Sequence, residues 1–160
     1  MTVVLVEGES DRVALEVLAE RRGIRLPTVV VTGGAGGARR AVASLGGEPT
    51  VGLVDAAERE QMSGFVTRLF VCTPDLEGEL VRALGIDAVI GIIEAEGEGA
   101  SFRRLQHQPA QRGRPVEAHL PKFFGGRGGN KPRYARLLAA TVPLDRIPAP
   151  LDGVLQAAAV

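Results

Sequence analysis

Five acidic side chains stand where an α/β protein does its chemistry. Glu7 follows directly on the apolar run Val3-Val4-Leu5-Val6, Asp55 closes the run Val51-Gly52-Leu53-Val54, and Asp75 and Glu77 come just after Leu69-Phe70-Val71-Cys72. Asp11 lies four residues beyond Glu7, about one helical turn on. Ligands of an open parallel sheet gather at the carboxyl ends of its strands. Carboxylates brought together there repel one another unless a cation lies among them, and hard oxygen donors suit Mg²⁺ or Mn²⁺. For Asp11, Asp75 and Glu77 a plainer role is open as well, because acidic residues stabilise helix N-termini. Glu7 and Asp55 instead end buried strands, where a shorter polar residue would have served.

Other candidate chemistry is weaker. The run Gly33-Gly34-Ala35-Gly36-Gly37 looks like a phosphate loop, but read as G-x-G-x-x-G from Gly34 its last position is Arg39, and no Gly-Lys-Ser/Thr follows. It reads as a tight strand-to-helix turn, with Arg39 and Arg40 either touching a phosphate or simply lying on the surface. His107 and His119 have no partner at zinc-ligand spacing, and no nucleophile-elbow pattern is present. Cys72, the single cysteine, sits in an apolar run and reads as core.

The elements that must position these groups alternate. Continuous β-branched runs predict buried parallel strands at Thr2–Val6, Thr28–Thr32, Thr50–Val54 and Arg68–Cys72. Between them, a helix is expected from an N-cap at Ser10 to a stop at Gly23, and another after the glycine turn with Ala41, Val42 and Leu45 inward. A third should begin at Thr73-Pro74, as cap and N1 proline, and end at Gly85. This alternation predicts a parallel sheet with crossover helices. Beyond Asp87 a helical pattern covers Ala88–Ala95 and Phe102–Gln108, Gly125–Gly129 reads as a loop, and Asn130 caps a last clear helix. The three-proline tail from Pro143 to Val160 is expected to pack across the body.

With 160 residues, 45% of them hydrophobic, the chain can build one substantial core. No apolar run approaches the roughly 20 residues of a membrane helix, and Met1 opens on a strand instead of a secretory leader, so the cytoplasm is the expected compartment and no membrane partner is expected. Net charge is zero but unevenly laid out: residues 1–100 sum to −7, residues 101–136 to +8 and residues 137–160 to −1. An acidic body beside a basic segment suits a protein holding cations next to a polyanion. A basic loop folded back on the acidic body for charge balance is the competing reading.

Val4-Leu5-Val6-Glu7-Gly8-Glu9-Ser10-Asp11 resembles the opening motif of the Toprim domain, in the version found in OLD-family (overcoming lysogenization defect) nucleases. Val31-Thr32-Gly33-Gly34, Gly52-Leu53-Val54-Asp55, Thr73-Pro74-Asp75-Leu76-Glu77-Gly78-Glu79-Leu80 and Lys131 resemble later features of that group in the same order. The resemblance implies an α/β Toprim (Rossmann-like) fold: a parallel four-stranded sheet flanked by helices, with a helical C-terminal extension. A core over residues 1–100 would carry a basic, loop-rich segment and helices over 101–160 packed on the same domain. It also implies a small stand-alone nuclease using two Mg²⁺ or Mn²⁺ ions. Glu7 would be a metal ligand or general base, Asp55 the first-metal ligand, Asp11 and Glu77 second-metal ligands, and Lys131 the partner of the charged phosphate. One departure is local: the family's Asp-x-Asp becomes Asp55-Ala56-Ala57, leaving Glu58, one position further, as the substitute ligand. A second is that no Walker motif occurs, so ATP control would need a separate ATPase chain.

Nucleic acid is the implied partner, DNA ahead of RNA, with Arg39, Arg103, Arg104, Arg112, Arg114, Lys122, Arg127 and Arg133 available for backbone phosphates. Aromatic content of 4% leaves little for base stacking. Two other functions compete: a degenerate Toprim domain that binds nucleic acid or a partner without cleavage, and a small-molecule phosphoryl hydrolase using the glycine turn.

Overall fold

The computed structural model describes residues 1–159. Four strands, β1 (Val3–Val6), β2 (Val29–Val31), β3 (Thr50–Asp55) and β4 (Arg68–Cys72), form one parallel sheet in the order β2-β1-β3-β4. The register pairs Val6 with Val31 and with Leu53, and Asp55 with Cys72. The chain leaves β1 towards β2 and returns across it to β3, so strand order reverses between β1 and β3. The carboxyl ends of these two neighbours flank the switch point, and they carry Glu7 and Asp55.

Helices cover both faces unequally. On one face Val4, Val6, Val51 and Leu53 pack with α1 (Glu9–Arg22), α4 (Leu76–Leu84), α8 (Asn130–Thr141) and α9 (Ala149–Ala158) to make the main core. On the other, α2 (Ala35–Ser44) and the short α3 (Arg59–Met62) bring Ala38 and Met62 against Val54 in a much smaller cluster. The remaining helices are α5 (Ile86–Ala95), α6 (Gly99–Gln106) and α7 (Val116–Gly125), with 3-10 turns at Ala56–Glu58 and Leu144–Arg146. Phe102, Phe123, Phe124 and Tyr134 are all buried, and Phe123 lies 5.2 Å from Phe102 and 5.6 Å from Tyr134, centroid to centroid. The proline-containing tail does pack across the body: α9 lies on β3 and β4, and at Gly153 a Cβ would stand 2.2 Å from the Phe70 ring, so only glycine permits the approach.

Three helix starts differ from the sequence expectation. The cap of α1 is Gly8, whose own N–H donates to Asp11 Oδ2 at 3.0 Å, and Ser10 lies buried inside the first turn. Asp75, not Thr73, caps α4 by accepting from Gly78 N at 2.8 Å, which leaves Pro74 outside the helix. Gly129 precedes α8, and Asn130 is its buried first residue, with Nδ2 donating to the Phe123 carbonyl. Helix α2 begins at Ala35, so Gly36 and Gly37 are helical and not loop. Helix α7, with Pro121 inside it, has no counterpart in the sequence reading.

Candidate metal centre

Strand β1 places Glu7 at the rim, and β3, its neighbour, places Asp55 beside it. Directly after Asp55 the chain enters the 3-10 turn Ala56–Glu58. At three residues per turn, positions i and i+3 eclipse, so Glu58 returns to the side of Asp55 while Ala57 lies exposed. Carboxylate oxygens of Glu7, Asp55 and Glu58 accordingly all lie within 4.8 Å of one another. The carboxylate one place beyond Ala57 thus stands in space beside those of Glu7 and Asp55.

Asp11 and Glu77 enter from the first turns of α1 and α4. One oxygen of Asp11 accepts from Gly8 N, the capping role open to it from sequence. Glu77 is 5% exposed, its Oε2 lies 3.9 Å from Lys131 Nζ, and its Oε1 has no hydrogen-bond partner. Lys131 comes from the first turn of α8. Asp55 Oδ1 also accepts from Leu76 N at 3.3 Å, tying the end of β3 to the start of α4. The glycine turn closes the wall next to Glu7: Gly33 N donates to the Glu7 carbonyl, and Thr32 N and Oγ1 both donate to the Val6 carbonyl. A cleft of about 150 Å³ remains between Glu7, Asp11, Gly33, Asp55 and Lys131. At ~30 Å³ per water it has room for about five waters, enough for hydrated ions or one phosphate group.

The electrostatics record crowding of negative charge. Burial, then the charges of Asp11 and Asp75, push Asp55 up to about 7. Burial also raises Glu77 to about 7, with Lys131 opposing it. Glu7 is raised by burial and by Glu58, and Asp11 by burial, partly offset by its bond from Gly8. Burial acts to lower the Lys131 pKa, but Glu77, Asp55 and Asp11 outweigh it, so its ammonium is held above the usual lysine range. A divalent cation fits this donor set. Ligand oxygens about 2.1 Å from Mg²⁺ stand about 3 Å apart when adjacent and about 4 Å apart when opposite, so the three carboxylates, now within 4.8 Å of one another, would draw closer around an ion. Glu58 Oε2, buried without a partner, is the kind of group such an ion would satisfy.

The basic residues divide into two sets. Arg103 pairs with Glu94, Arg133 with Glu96 and Glu98, and Arg127 lies 3.8 Å from Glu98, so part of the basic segment does fold back on the acidic body. Arg104, Arg112, Arg114 and Lys122 are exposed and form no ion pair among the described residues. Arg39 lies over the Phe65 ring at 5.0 Å. Two features went unread in the sequence. Tyr134 donates to Glu98 Oε1 at 2.7 Å within the aromatic cluster, and Gln111 is buried between α6 and α7. Tyr134 carried the signal of an apolar helix face, whereas nothing local distinguishes Gln111 from neighbouring exposed polar residues.

No family model and no curated protein sequence matches the chain. Solved structures do. The C-terminal region of the OLD protein of Xanthomonas campestris pv. campestris matches with a TM-score of 0.66 and 26% identity over 98% of this chain and 91% of that one. The C-terminal region of the Burkholderia pseudomallei OLD protein matches with a TM-score of 0.65 and 21% identity over 98% and 95%. The fold is therefore the four-stranded, helix-flanked Toprim-type architecture of these regions, as the sequence resemblance implied. No helix among the described residues is long and apolar enough to cross a membrane.

Proposed function

We propose that the chain is a divalent-metal-dependent nuclease that hydrolyses phosphodiester bonds in nucleic acid, DNA ahead of RNA. The observation that carries this reading is the convergence of Glu7, Asp55 and Glu58 at the β1/β3 switch point. The likeness to the C-terminal regions of OLD proteins supports it. Glu7, Asp55 and Glu58 would hold one Mg²⁺ or Mn²⁺ ion, and Asp11 and Glu77 a second. Such ions, when bound, supply Lewis acidity to phosphoryl oxygens and lower the pKa of water.

The side chains do the rest. Glu7, raised by burial and by Glu58, would serve either as a ligand of the first ion or as the base that takes a proton from the attacking water. Lys131 stays cationic because four carboxylates surround it, and it offers positive charge where the phosphate gains negative charge. Arg104, Arg112, Arg114 and Lys122 would neutralise backbone phosphates without reading sequence. Arg103, Arg127 and Arg133, already engaged with glutamates, would steer more than bind, and Arg39 would touch only a strand passing the α2 edge. Any ATP dependence would come from a separate ATPase chain, and the cytoplasm is the compartment this chemistry suits.

The test is cleavage of supercoiled plasmid, linear DNA and structured RNA with Mn²⁺, Mg²⁺ or EDTA, with Glu7→Gln alongside. Metal-dependent cutting that Glu7→Gln abolishes is the expected result. Ala57, in place of the family's second aspartate, favours one other reading, a binding module without catalysis. Salt-sensitive binding without cutting under any ion would establish that reading and remove the nuclease.

A further inference from the structure

A second pocket, of about 420 Å³, opens beyond the N-terminus of α8, between α6, α7 and the Gly126–Gly129 loop. Its volume falls within the roughly 300–1,000 Å³ range of small-ligand sites. Asn130 lines it, while Lys131, the next residue, lines the acidic cleft, so consecutive residues in the first turn of α8 border the two.

Three observations define its chemistry. Arg104 and Lys122, both on its wall, form no ion pair among the described residues. The pocket's one carboxylate, Glu98, is already engaged by Tyr134 and Arg133, so the two cations are not neutralised from within. Gln111 is 7% exposed, and its side-chain Oε1 has no hydrogen-bond partner, although its backbone carbonyl accepts from His119 Nε2 at 2.8 Å. A buried amide oxygen left unpartnered marks a place for a ligand or a water. Finally, Phe123, fixed in the aromatic cluster, gives the pocket an apolar wall.

We propose that this pocket binds one nucleotide unit, its phosphate at Arg104 and Lys122, its base against Phe123 with an edge hydrogen-bonded by Gln111. A bare anion would use the two cations but neither the amide nor the aromatic wall. An amide presents both donors and an acceptor, which is what a base edge requires. The inference deepens the nucleic-acid reading above and rests on it for the ligand class. A strand cut at the acidic cleft would cross α8 at Lys131 and seat a neighbouring nucleotide here. A free mononucleotide presents the same chemistry.

The test is calorimetric titration of the full chain in EDTA with dAMP, deoxyribose 5-phosphate and inorganic phosphate. Saturable 1:1 binding of dAMP, about tenfold or more tighter than either phosphate alone, is expected. Arg104→Ala combined with Lys122→Ala should weaken dAMP at least about tenfold, and so should Gln111→Leu. Because Gln111→Leu removes an unsatisfied buried amide, its Tm should stay level or rise, separating lost recognition from lost folding. A short oligothymidylate that displaces dAMP more tightly than dAMP itself binds assigns a unit within a strand; one that competes no better assigns the free nucleotide. Absence of dAMP binding, equal binding of phosphate alone, or indifference to both sets of substitutions overturns the site. With divalent ions chelated, a metal centre that never cleaves leaves this result untouched, and a failed nucleotide site leaves the cleavage test untouched.

Discussion

Asp55→Asn should make the metal-free protein more stable at pH 8, and it should reverse rank with the wild type once Mn²⁺ is added. Burial and the neighbouring carboxylates raise Asp55 from 3.8 to about 7. Between those values the folded chain holds a proton that the unfolded chain has released, so the apoprotein loses stability as pH rises through this window. At 1.36 kcal/mol per pH unit the whole displacement is worth about 4 kcal/mol. Asp55 keeps partial solvent contact, which screens its neighbours, and about 2 kcal/mol is a fair expectation. For a domain of this size that is a Tm increase of about 4–8 °C for Asp55→Asn in EDTA at pH 8, vanishing near pH 4. The amide oxygen can still accept from Leu76 N, so the link between β3 and α4 survives. Mn²⁺ at about 100 times its Kd should stabilise the wild type by about 2.7 kcal/mol and the variant by far less. Differential scanning calorimetry at pH 4 and 8, with EDTA and with Mn²⁺, reads all four states. A variant destabilised equally at both pH values, or a wild type indifferent to Mn²⁺, would refute the argument that crowded carboxylates await a cation.

Glu7→Gln and Lys131→Ala should keep the far-UV circular dichroism of the wild type while reducing metal-dependent cleavage at least about 100-fold, measured as plasmid nicking rate. Glu58→Ala decides whether the 3-10 turn supplies the missing ligand: loss of both cleavage and Mn²⁺-induced Tm increase is expected, and unchanged cleavage would reject Glu58 as a ligand. Gly153→Ala forces a methyl to within 2.2 Å of the Phe70 ring, and overpacking should outweigh the helix propensity gained, leaving it about 1–2 kcal/mol less stable in urea denaturation. Tyr134→Phe removes the 2.7 Å bond to Glu98 and should cost about 1–2 kcal/mol in the same assay without changing metal-induced stabilisation.

The inner strands were legible because a buried parallel strand is written in consecutive apolar and β-branched residues, and β1 and β3 are buried over nearly their whole length. The strands β2 and β4, which the runs Thr28–Thr32 and Arg68–Cys72 suggest to be buried as well, lie at the sheet edges and are largely half-buried, with Val31 and Arg68 exposed. Helix starts were less so. Several short polar residues compete for the first amides, and only geometry decides that Asp75 reaches Gly78 N while Thr73 does not. Helix α7 was hidden by Pro121, which removes the bond to the Glu117 carbonyl at a cost of about 3 kcal/mol. Burial of Leu120, Phe123 and Phe124 holds the helix regardless. Convergence of Glu58 on Glu7 and Asp55 could be suspected from spacing, but it depends on the chain choosing a 3-10 turn after β3. The division of the basic segment into paired and unpaired cations was invisible, because Glu94, Glu96 and Glu98 belong to a different stretch of sequence that folding brings alongside.

Helix α8 is packed along α1, and at its far end Arg21 Nη1 donates to the Ala139 and Val142 carbonyls, both at 2.7 Å. With 12 residues it is about 18 Å long. It therefore works as a lever whose fulcrum is that arginine clip and whose tip is Lys131. A tilt of only ~10° about the clip would sweep the lysine by about 3 Å, more than hydrogen-bond reach allows. Snugness at Ala135, Leu138 and Ala139 on the shaft thus sets the aim of a charge about one to two turns away. A single extra methyl group there would disarm the rim while leaving every carboxylate in it untouched.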